Sequence, residues 1–595
     1  MRQGESPSGV TCSATERVPA GRATRLLLAL IVLLGLGVRL QGLDFLAPHL
    51  MEPDGLVVDY QLRALEGGGP EHRAHALYAY YPHLVARVAA LVPTALVAER
   101  EPRTLAEHLD FAGRQRLRGR VAVALLSLLA IPLSFWLARR FLPDPWPLAA
   151  AAITAASPFT LWFAQQARPH AAAASFTLLA VCAAVVLRAS GSWRAYAAAG
   201  LAAGLAVGAL QNGVAALCAV GFAVLARVRA DRWRAAAGAL LITAVVAAFV
   251  AALYPFLFAE QARSGVAVDE RGTLALSQHQ VFLGLFNGRG FPVVWRSLEE
   301  YDPLLTVLSV LGMLAALVLI LRGRSRLGPA RAADLAVVLA YVLPYLVVIG
   351  LYQRTYQRFV LPLVPFLAVL AAFGLHATWR AASARSRWLG RAVAFLAVVA
   401  CVAQFAWAFR LGAVRAAPDT IEQAARWIEE HVAPGTDRVD VMPGLDLPLS
   451  RTPASIERDA VLRDEQSTPW FRHLADPRRA SIDAPAYDLA LMDLIAHGAR
   501  QRAHGDAYGF ARSLTGRYAV VIAWPQRYRP ALRAVREGLR GQFELVARFN
   551  PDDPDTGEDL PLAHQDDELP YTTPWALRIL EARCVGPSVE IYRLR

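Results

Sequence analysis

The stretch Ala236–Phe258, AAGALLITAVVAAFVAALYPFLF, decides the fold class of this chain. It runs for 23 residues without a charged side chain and follows Arg232 and Arg234. An α-helix rises about 1.5 Å per residue, so about 20 apolar residues cross a hydrocarbon core of about 30 Å. A soluble core helix of that length carries a polar stripe at helical period. This stretch has none, and it reads as a membrane span.

Ten further stretches read the same way. They lie near Arg25–Leu43, Val121–Leu137, Leu148–Phe163, Ala171–Leu187, Tyr196–Leu210, Val214–Leu225, Leu304–Leu321, Ala333–Leu351, Val360–Leu375 and Ala392–Phe409. The first is too long for the apolar core of a signal peptide and lacks a small-residue cleavage site, so it reads as an anchor. The expected fold is therefore an α-helical polytopic membrane protein of about eleven transmembrane helices, followed by a soluble α/β domain.

Arginine placement orients the spans, because loops facing the cytoplasm are enriched in basic residues. With the N-terminus inside, the inner loops hold Arg139 and Arg140, Arg188 and Arg194, and Arg227 to Arg234. Further along they hold Arg322 to Arg331 and Arg380 to Arg391. The outer turns at Gln165–His170 and Gln211–Asn212 hold one arginine and none. Residues 1–24 are then a disordered cytoplasmic N-terminus. Residues 25–410 form the membrane domain, with outer loops 44–118 and 260–303. Residues 411–595 form an extracytoplasmic domain. The expected location is the inner (plasma) membrane.

Composition agrees and excludes several classes. Hydrophobic residues make up 55% and charged residues only 18%, against about a quarter charged in soluble proteins. The net charge of +12 would suggest nucleic acid in a soluble chain; here loop topology accounts for it, and no nucleic-acid partner is expected. The sequence has no lysine, which excludes a P-loop and a Schiff-base enzyme. The five cysteines, Cys12, Cys182, Cys218, Cys401 and Cys584, are too scattered for a disulfide framework. No HExxH motif occurs, and His72 with His75 makes a poor metal site.

The C-terminal region changes character. Ile421–His431 and Pro530–Leu539 have helical spacing, while Tyr518–Ala523 and Val589–Leu594 read as strands. Asp552–Glu568 is an acidic loop.

Transporters place ionisable groups inside their spans, yet the spans from Val121 to Phe258 contain no Asp or Glu. Polar residues gather at the outer surface instead, in three clusters. The first is Pro48-His49-Leu50-Met51-Glu52-Pro53-Asp54. A carboxylate there suits a general base for an acceptor hydroxyl, although Asp54 equally suits a helix N-cap and Glu52 a solvated surface position. The second is Gln165-Gln166-Ala167-Arg168-Pro169-His170. Arg168 opposes the charge rule, and a guanidinium there suits a phosphate; capping a helix C-terminus is its other reading. The third is Tyr352–Arg358, whose Arg354 and Arg358 suit an anionic lipid carrier or act as snorkelling anchors. Tyr78, Tyr80, Tyr81 and His83 suit a sugar site or an interfacial aromatic belt. His279 and Asn287 have no local support.

In this order the clusters resemble the GT-C superfamily of membrane glycosyltransferases, most closely the protein O-mannosyltransferase and aminoarabinose-transferase type. That family opens with one span and an outer loop bearing an acidic motif, matched by Glu52-Pro53-Asp54-Gly55. Its Tyr-Pro-Pro-Leu-like segment is matched by Tyr80-Tyr81-Pro82-His83-Leu84, and its Glu-Ala-Arg-Pro-Tyr-like signature by Gln166-Ala167-Arg168-Pro169-His170. Arg358-Phe359-Val360-Leu361-Pro362 resembles the approach to a late span, and Pro418–Gly435 the start of a C-terminal outer domain. Two departures stand out: Gly55 replaces a usual glutamate, and His170 a common tyrosine.

The resemblance implies inverting transfer of a sugar from a polyprenyl-phosphate carrier to an acceptor hydroxyl. Asp54 would be the base, and Arg168 with Arg358 would hold the leaving phosphate. Glu52, Tyr81, His83, Gln166, His170 and Arg354 complete the expected substrate-binding set. The acceptor would be a glycan, a lipid or a protein, with membrane lipids around the site. No metal or other cofactor is expected, since the lipid-phosphate-sugar branch needs none; a divalent ion between Glu52 and Asp54 is the alternative.

Overall fold

A computed structural model describes residues 21–48, 55–65, 81–93, 104–258, 267–268, 273–276, 279–321, 328–441, 447–460, 474–475, 483–492, 514–522, 529–551 and 575–595. The first part is helical. In chain order its helices are α1 (Arg22–Leu40), α2 (Gly55–Leu65), α3 (Leu84–Ala90), α4 (Leu105–Ser127), α5 (Ala130–Ala138), α6 (Trp146–Ala156) and α7 (Pro158–Ala164). They continue with α8 (His170–Ser190), α9 (Trp193–Ala209), α10 (Ala216–Val228), α11 (Arg232–Leu253) and α12 (Gly290–Tyr301). The last of this part are α13 (Pro303–Leu321), α14 (Pro329–Leu351), α15 (Val364–Arg385) and α16 (Arg387–Ala416).

Among the described residues, eight helical segments are long and apolar enough to cross a membrane, or up to ten if each of two bent pairs is one span. Ten of the eleven expected stretches overlap these segments or bent pairs. The remaining one, Tyr196–Leu210, coincides with α9, whose 17 residues extend about 26 Å at the helical rise.

The bends have local causes. Between α6 and α7 the axis turns by 47°. There Ser157 accepts from the Thr160 N–H at 3.3 Å and Pro158 opens the new helix, a serine cap followed by a proline that needs no N–H partner. Between α12 and α13 the turn is 119°. Asp302 caps α13 there, accepting from Leu305 N–H at 3.1 Å, and Pro303 begins the next helix.

Lipid removes the hydrophobic drive for helix association, so close packing of small residues takes over. Gly200, Gly204 and Gly208, four residues apart on α9, lie against Ile242, Phe249 and Leu253 of α11. A Cβ on Gly204 would sit 2.4 Å from the Phe249 ring, so these backbones approach because no side chain intervenes.

Buried polar contacts join residues expected on the same side. At the arginine-rich end, Asp334 accepts from Arg140 at 2.9 Å and Arg188 at 2.6 Å. At the other end, the His83 N–H donates to Leu253 O at 2.9 Å, and Arg120 donates to Leu43 O and Phe45 O at 2.8 and 2.7 Å.

The second long loop holds a three-stranded antiparallel sheet, β1 (Ala267–Val268), β2 (Thr273–Leu276) and β3 (His279–Phe282). The C-terminal domain starts with α17 (Thr420–His431) and carries strands β4 (Arg438–Val441), β5 (Ser450–Arg451), β6 (Ala486–Leu491), β7 (Tyr518–Ile522), β8 (Phe543–Phe549) and β9 (Val589–Leu594). They form one sheet in the order β5-β6-β4-β7-β9-β8, parallel from β5 to β7 and antiparallel beyond. Its helices are α18 (Pro453–Ala460), α19 (Arg529–Arg540) and α20 (Trp575–Glu581). All four C-terminal elements read from the sequence are present. The acidic loop Asp552–Glu568 and Cys12 lie outside the described residues.

This domain rests on the end of the bundle that carries the first long loop. Thr104 forms a parallel bridge with Asp483, and Leu105 and Leu109 pack with Ile456 and Leu474. Trp407 Nε1 donates to Ala576 O, and Arg410 to Ala582 O, both at 2.6 Å.

Candidate active site

The turn Gln165–Pro169 lies between α7 and α8 and is buried throughout. Gln165 is completely buried and acts as a hub. Its amide donates to the carbonyls of Val38, Arg39 and Gln41 at 3.1, 3.2 and 2.7 Å. Val38 and Arg39 lie in the last turn of α1, where carbonyls lack an intrahelical partner, and Gln41 follows directly. Its carbonyl oxygen accepts from Arg415, at the far end of α16. Gln166 is also buried, and its Oε1 has no partner among the described residues. Arg168 is 1% exposed, a buried guanidinium rather than a surface cap.

His170 opens α8 and touches two other segments through its ring. The Tyr81 ring meets it edge-on at 5.7 Å, and the Phe359 ring stacks on it at 6.3 Å. Phe359 then meets Tyr356 at 5.6 Å, and the Arg358 guanidinium lies 4.2 Å from the Tyr356 ring and 5.5 Å from Phe359. One chain of rings therefore links the first long loop, the start of α8, and the 3₁₀ segment Gln357–Leu363 with its N-cap Tyr356. That segment is fixed from below, where Tyr345 Oη donates to Phe359 O at 2.8 Å and Thr355 Oγ1 to Ile349 O at 2.6 Å.

Asp54 and Glu52 lie outside the described residues, as do Tyr78 and Tyr80. Their flanks are described, and both flanks rest on one surface. On the near side, Arg120 holds the carbonyls of Leu43 and Phe45. On the far side, Gly119 faces Val58 of α2 and Ala167: a Cβ there would lie 3.5 Å from Val58 Cγ1 and 3.1 Å from Ala167 Cβ. Gln61 of α2 donates to Tyr81 O at 2.6 Å. Leu46 has φ +57, a left-handed conformation that costs a side-chain-bearing residue about 1–2 kcal/mol. Surrounding contacts must hold it there.

The expected residues therefore separate into groups. Tyr81, His170 and Arg358 come together in the ring chain, and Gln166 and Arg168 sit in the buried turn beside it. His83 is buried at the N-cap of α3, tied by its backbone to α11. Arg354 is exposed and its guanidinium lies 4.1 Å from the Phe282 ring of β3, turned toward the second outer loop. In that loop Asn287 donates to Gln353 Oε1 at 2.7 Å, so it ties the loop to the α14 corner. Among the described residues, no group of three His, Cys, Asp or Glu side chains is placed to hold a metal.

Sequence reading missed Arg120 and Arg415, and named Gln165 only as part of its cluster. Arg415 is 1% exposed, with its guanidinium 4.1 Å from both the Phe45 and Trp162 rings.

No family model matches the chain, and no curated protein matches it in sequence. Solved structures do align with it. The archaeal oligosaccharyltransferase AglB from Archaeoglobus fulgidus, solved with an inhibitory peptide and a dolichol-phosphate, aligns at 12% identity and TM-score 0.48, over 89% of this chain and 73% of AglB. ArnT from Cupriavidus metallidurans aligns at 14% identity and TM-score 0.42, over 96% and 98%; it is also known bound to undecaprenyl phosphate. The mycobacterial arabinofuranosyltransferase AftD aligns at 16% identity and TM-score 0.44, over 97% of this chain and 40% of AftD.

Proposed function

We propose that this chain is a membrane glycosyltransferase of the GT-C type that moves a sugar from a polyprenyl-phosphate carrier to an acceptor hydroxyl. The observation that carries the reading is the ring chain from Tyr81 through His170, Phe359 and Tyr356 to Arg358. It unites three segments, far apart in sequence, that each match a GT-C motif. It does so at the end of the bundle covered by the C-terminal domain. That is where a carrier with its tail in lipid and its sugar in water presents its phosphate.

In this reading Asp54 takes the acceptor hydroxyl proton as that oxygen attacks the anomeric carbon. The bond from that carbon to the phosphate oxygen breaks, and the lipid phosphate leaves with the electron pair. Arg358 and Arg168 meet the charge that develops on it, which favours the transition state over the ground state. Tyr81 and His170 supply faces for the sugar, with Gln166 Oε1 as an acceptor for a hydroxyl. Attack from the side opposite the phosphate inverts the anomeric centre. The reading needs no metal ion.

The test is transfer by the full chain in lipid nanodiscs, using labelled sugars on dolichol- and undecaprenyl-phosphate, the carriers solved with AglB and ArnT. Asp54→Asn should abolish transfer while the protein keeps its melting temperature. Full activity of that variant overturns the reading. Movement of the lipid-linked sugar between leaflets without a covalent product would overturn it in favour of a flippase.

A further inference from the structure

We propose that Arg415 and Arg120 are positioning residues that set Gln41–Pro48, the start of the first long loop, and that Arg415 ties this segment to the root of the C-terminal domain. The inference rests on the glycosyltransferase reading for its catalytic consequence. Its structural content stands by itself.

The segment Gln41–Pro48 leaves α1 and leads to Glu52 and Asp54. Nearly every group that could let it swing is held. Gln165 holds the carbonyls of Val38, Arg39 and Gln41, and Arg120 those of Leu43 and Phe45. The Phe45 ring is shared by two cations, the guanidinium groups of Arg120 and Arg415, each 4.1 Å from its centroid. A ring face attracts a cation most strongly where water is excluded, and Phe45, Arg120 and Arg415 are all buried. Leu46 follows at once in its left-handed conformation. A leucine does not rest there unaided, and its immediate neighbour in the chain is the clamped Phe45.

Arg415 also reaches across the bundle. It donates to Gln165 Oε1 and, at 3.3 Å, to Trp162 O. Gly42, with φ +65, lies so close to α16 that a Cβ would meet Arg415 Cβ and Gly412 O at 2.7 Å. Arg415 stands two residues before Ala417, where α16 ends, and the C-terminal domain begins at Asp419. A shift of that domain at its root therefore moves the guanidinium that holds Phe45. Lysine keeps the charge but loses the planar fork that stacks on rings and donates in two directions.

Arg415→Lys in the full chain, in nanodiscs, tests this by two readouts. Hydrogen exchange of the peptide 41–48 should accelerate, while peptides from α6 and α8 keep wild-type rates. The kcat for sugar transfer should fall about 10²-fold, the cost of displacing a catalytic group by about 1 Å, with KM for the donor within about twofold, since no donor contact is lost. Phe45→Leu, which removes the shared ring and leaves both arginines, should act the same way and covers the case that Arg415→Lys does not fold. Unchanged exchange at 41–48 in both variants overturns the clamp, whatever the activity. Faster exchange with unchanged kcat overturns its positioning role. If Asp54→Asn proves fully active, the glycosyltransferase reading falls, and exchange at 41–48 alone decides the clamp.

Discussion

Asp334 illustrates how one buried charge organises the arginine-rich end of the bundle. Its buried carboxylate is paired with Arg140, in the turn after α5, and with Arg188 of α8, both partly buried. Removing one partner of such a group leaves the others charged and unpaired, at a cost of about 3–5 kcal/mol. Asp334→Ala should therefore lower the melting temperature sharply, whereas Arg426→Ala, on an exposed helix pair, should change it little because such pairs contribute at most about 1 kcal/mol. Equal melting temperatures for the two variants would count against the buried triad. Arg358 makes the opposite kind of prediction, in function rather than stability. A hydrogen bond to a charged group is worth about 1.5–3 kcal/mol, so Arg358→Gln should lower kcat/KM for the lipid donor by about 10- to 100-fold. Arg358→Lys should recover only part of it, because an ammonium is a point charge and not a fork. Recovery to wild-type kinetics with lysine would show that Arg358 supplies only charge.

At the scale of elements, the bundle depends on where helices come close. The α9–α11 contact rests on three glycines, and Gly204 has the Phe249 ring where a side chain would be. Gly204→Val should force the helices apart at a cost of about 1–3 kcal/mol, the usual penalty of overpacking. It should appear as reduced monodisperse protein on size exclusion in detergent. Gly221, against which a Cβ would meet nothing within 4 Å, is the control. Both helices were legible as apolar runs, but their pairing was not. Neighbours along a helix are set by its period, whereas the partner across a contact is set by shape in three dimensions.

At the scale of the whole molecule, the C-terminal domain is joined to the bundle at Asp419, the N-cap of α17. Its carboxylate accepts from the N–H groups of Ile421 and Glu422, both at 2.8 Å. Burial pushes its pKa up to about 7, against the pull of those two bonds, from an ordinary value of about 3.9. A raised folded-state pKa means the folded state holds the proton more tightly than the unfolded one. The stability this contributes is complete below about pH 4 and is lost as pH rises to about 7. Asp419→Asn keeps the cap and removes the titration, so its melting temperature should vary less than wild type between pH 5 and 8. Relative to Asp419→Asn, Asp419→Ala should lose about 1 kcal/mol at every pH with the cap. A wild type and Asp419→Asn with parallel pH profiles would place the titration elsewhere.

Much of this architecture was legible without coordinates, for a physical reason. Crossing a hydrocarbon core demands length and apolarity within one continuous segment, and the arginine bias belongs to single loops. Both are local properties, so Ala236–Phe258 and its ten counterparts declared the polytopic class, and α17, α19, β7 and β9 declared the α/β domain. The candidate site was only half legible. Tyr81, His170 and Arg358 were singled out one by one, each with an ordinary structural role as an equal reading. What joins them is a set of ring contacts between residues 81, 170 and 358, and no local pattern encodes a contact across such separations. Arg415 and Arg120 were passed over for the same reason: each looks like a loop arginine until the Phe45 ring is placed between their segments. The sequence by itself determined that this is a multi-pass helical membrane chain, because that follows from transfer of single segments out of water. Only the tertiary structure decided that the Tyr81, His170, Phe359 and Tyr356 rings meet and that Arg120 and Arg415 flank the Phe45 ring, because those depend on packing between segments far apart in the chain.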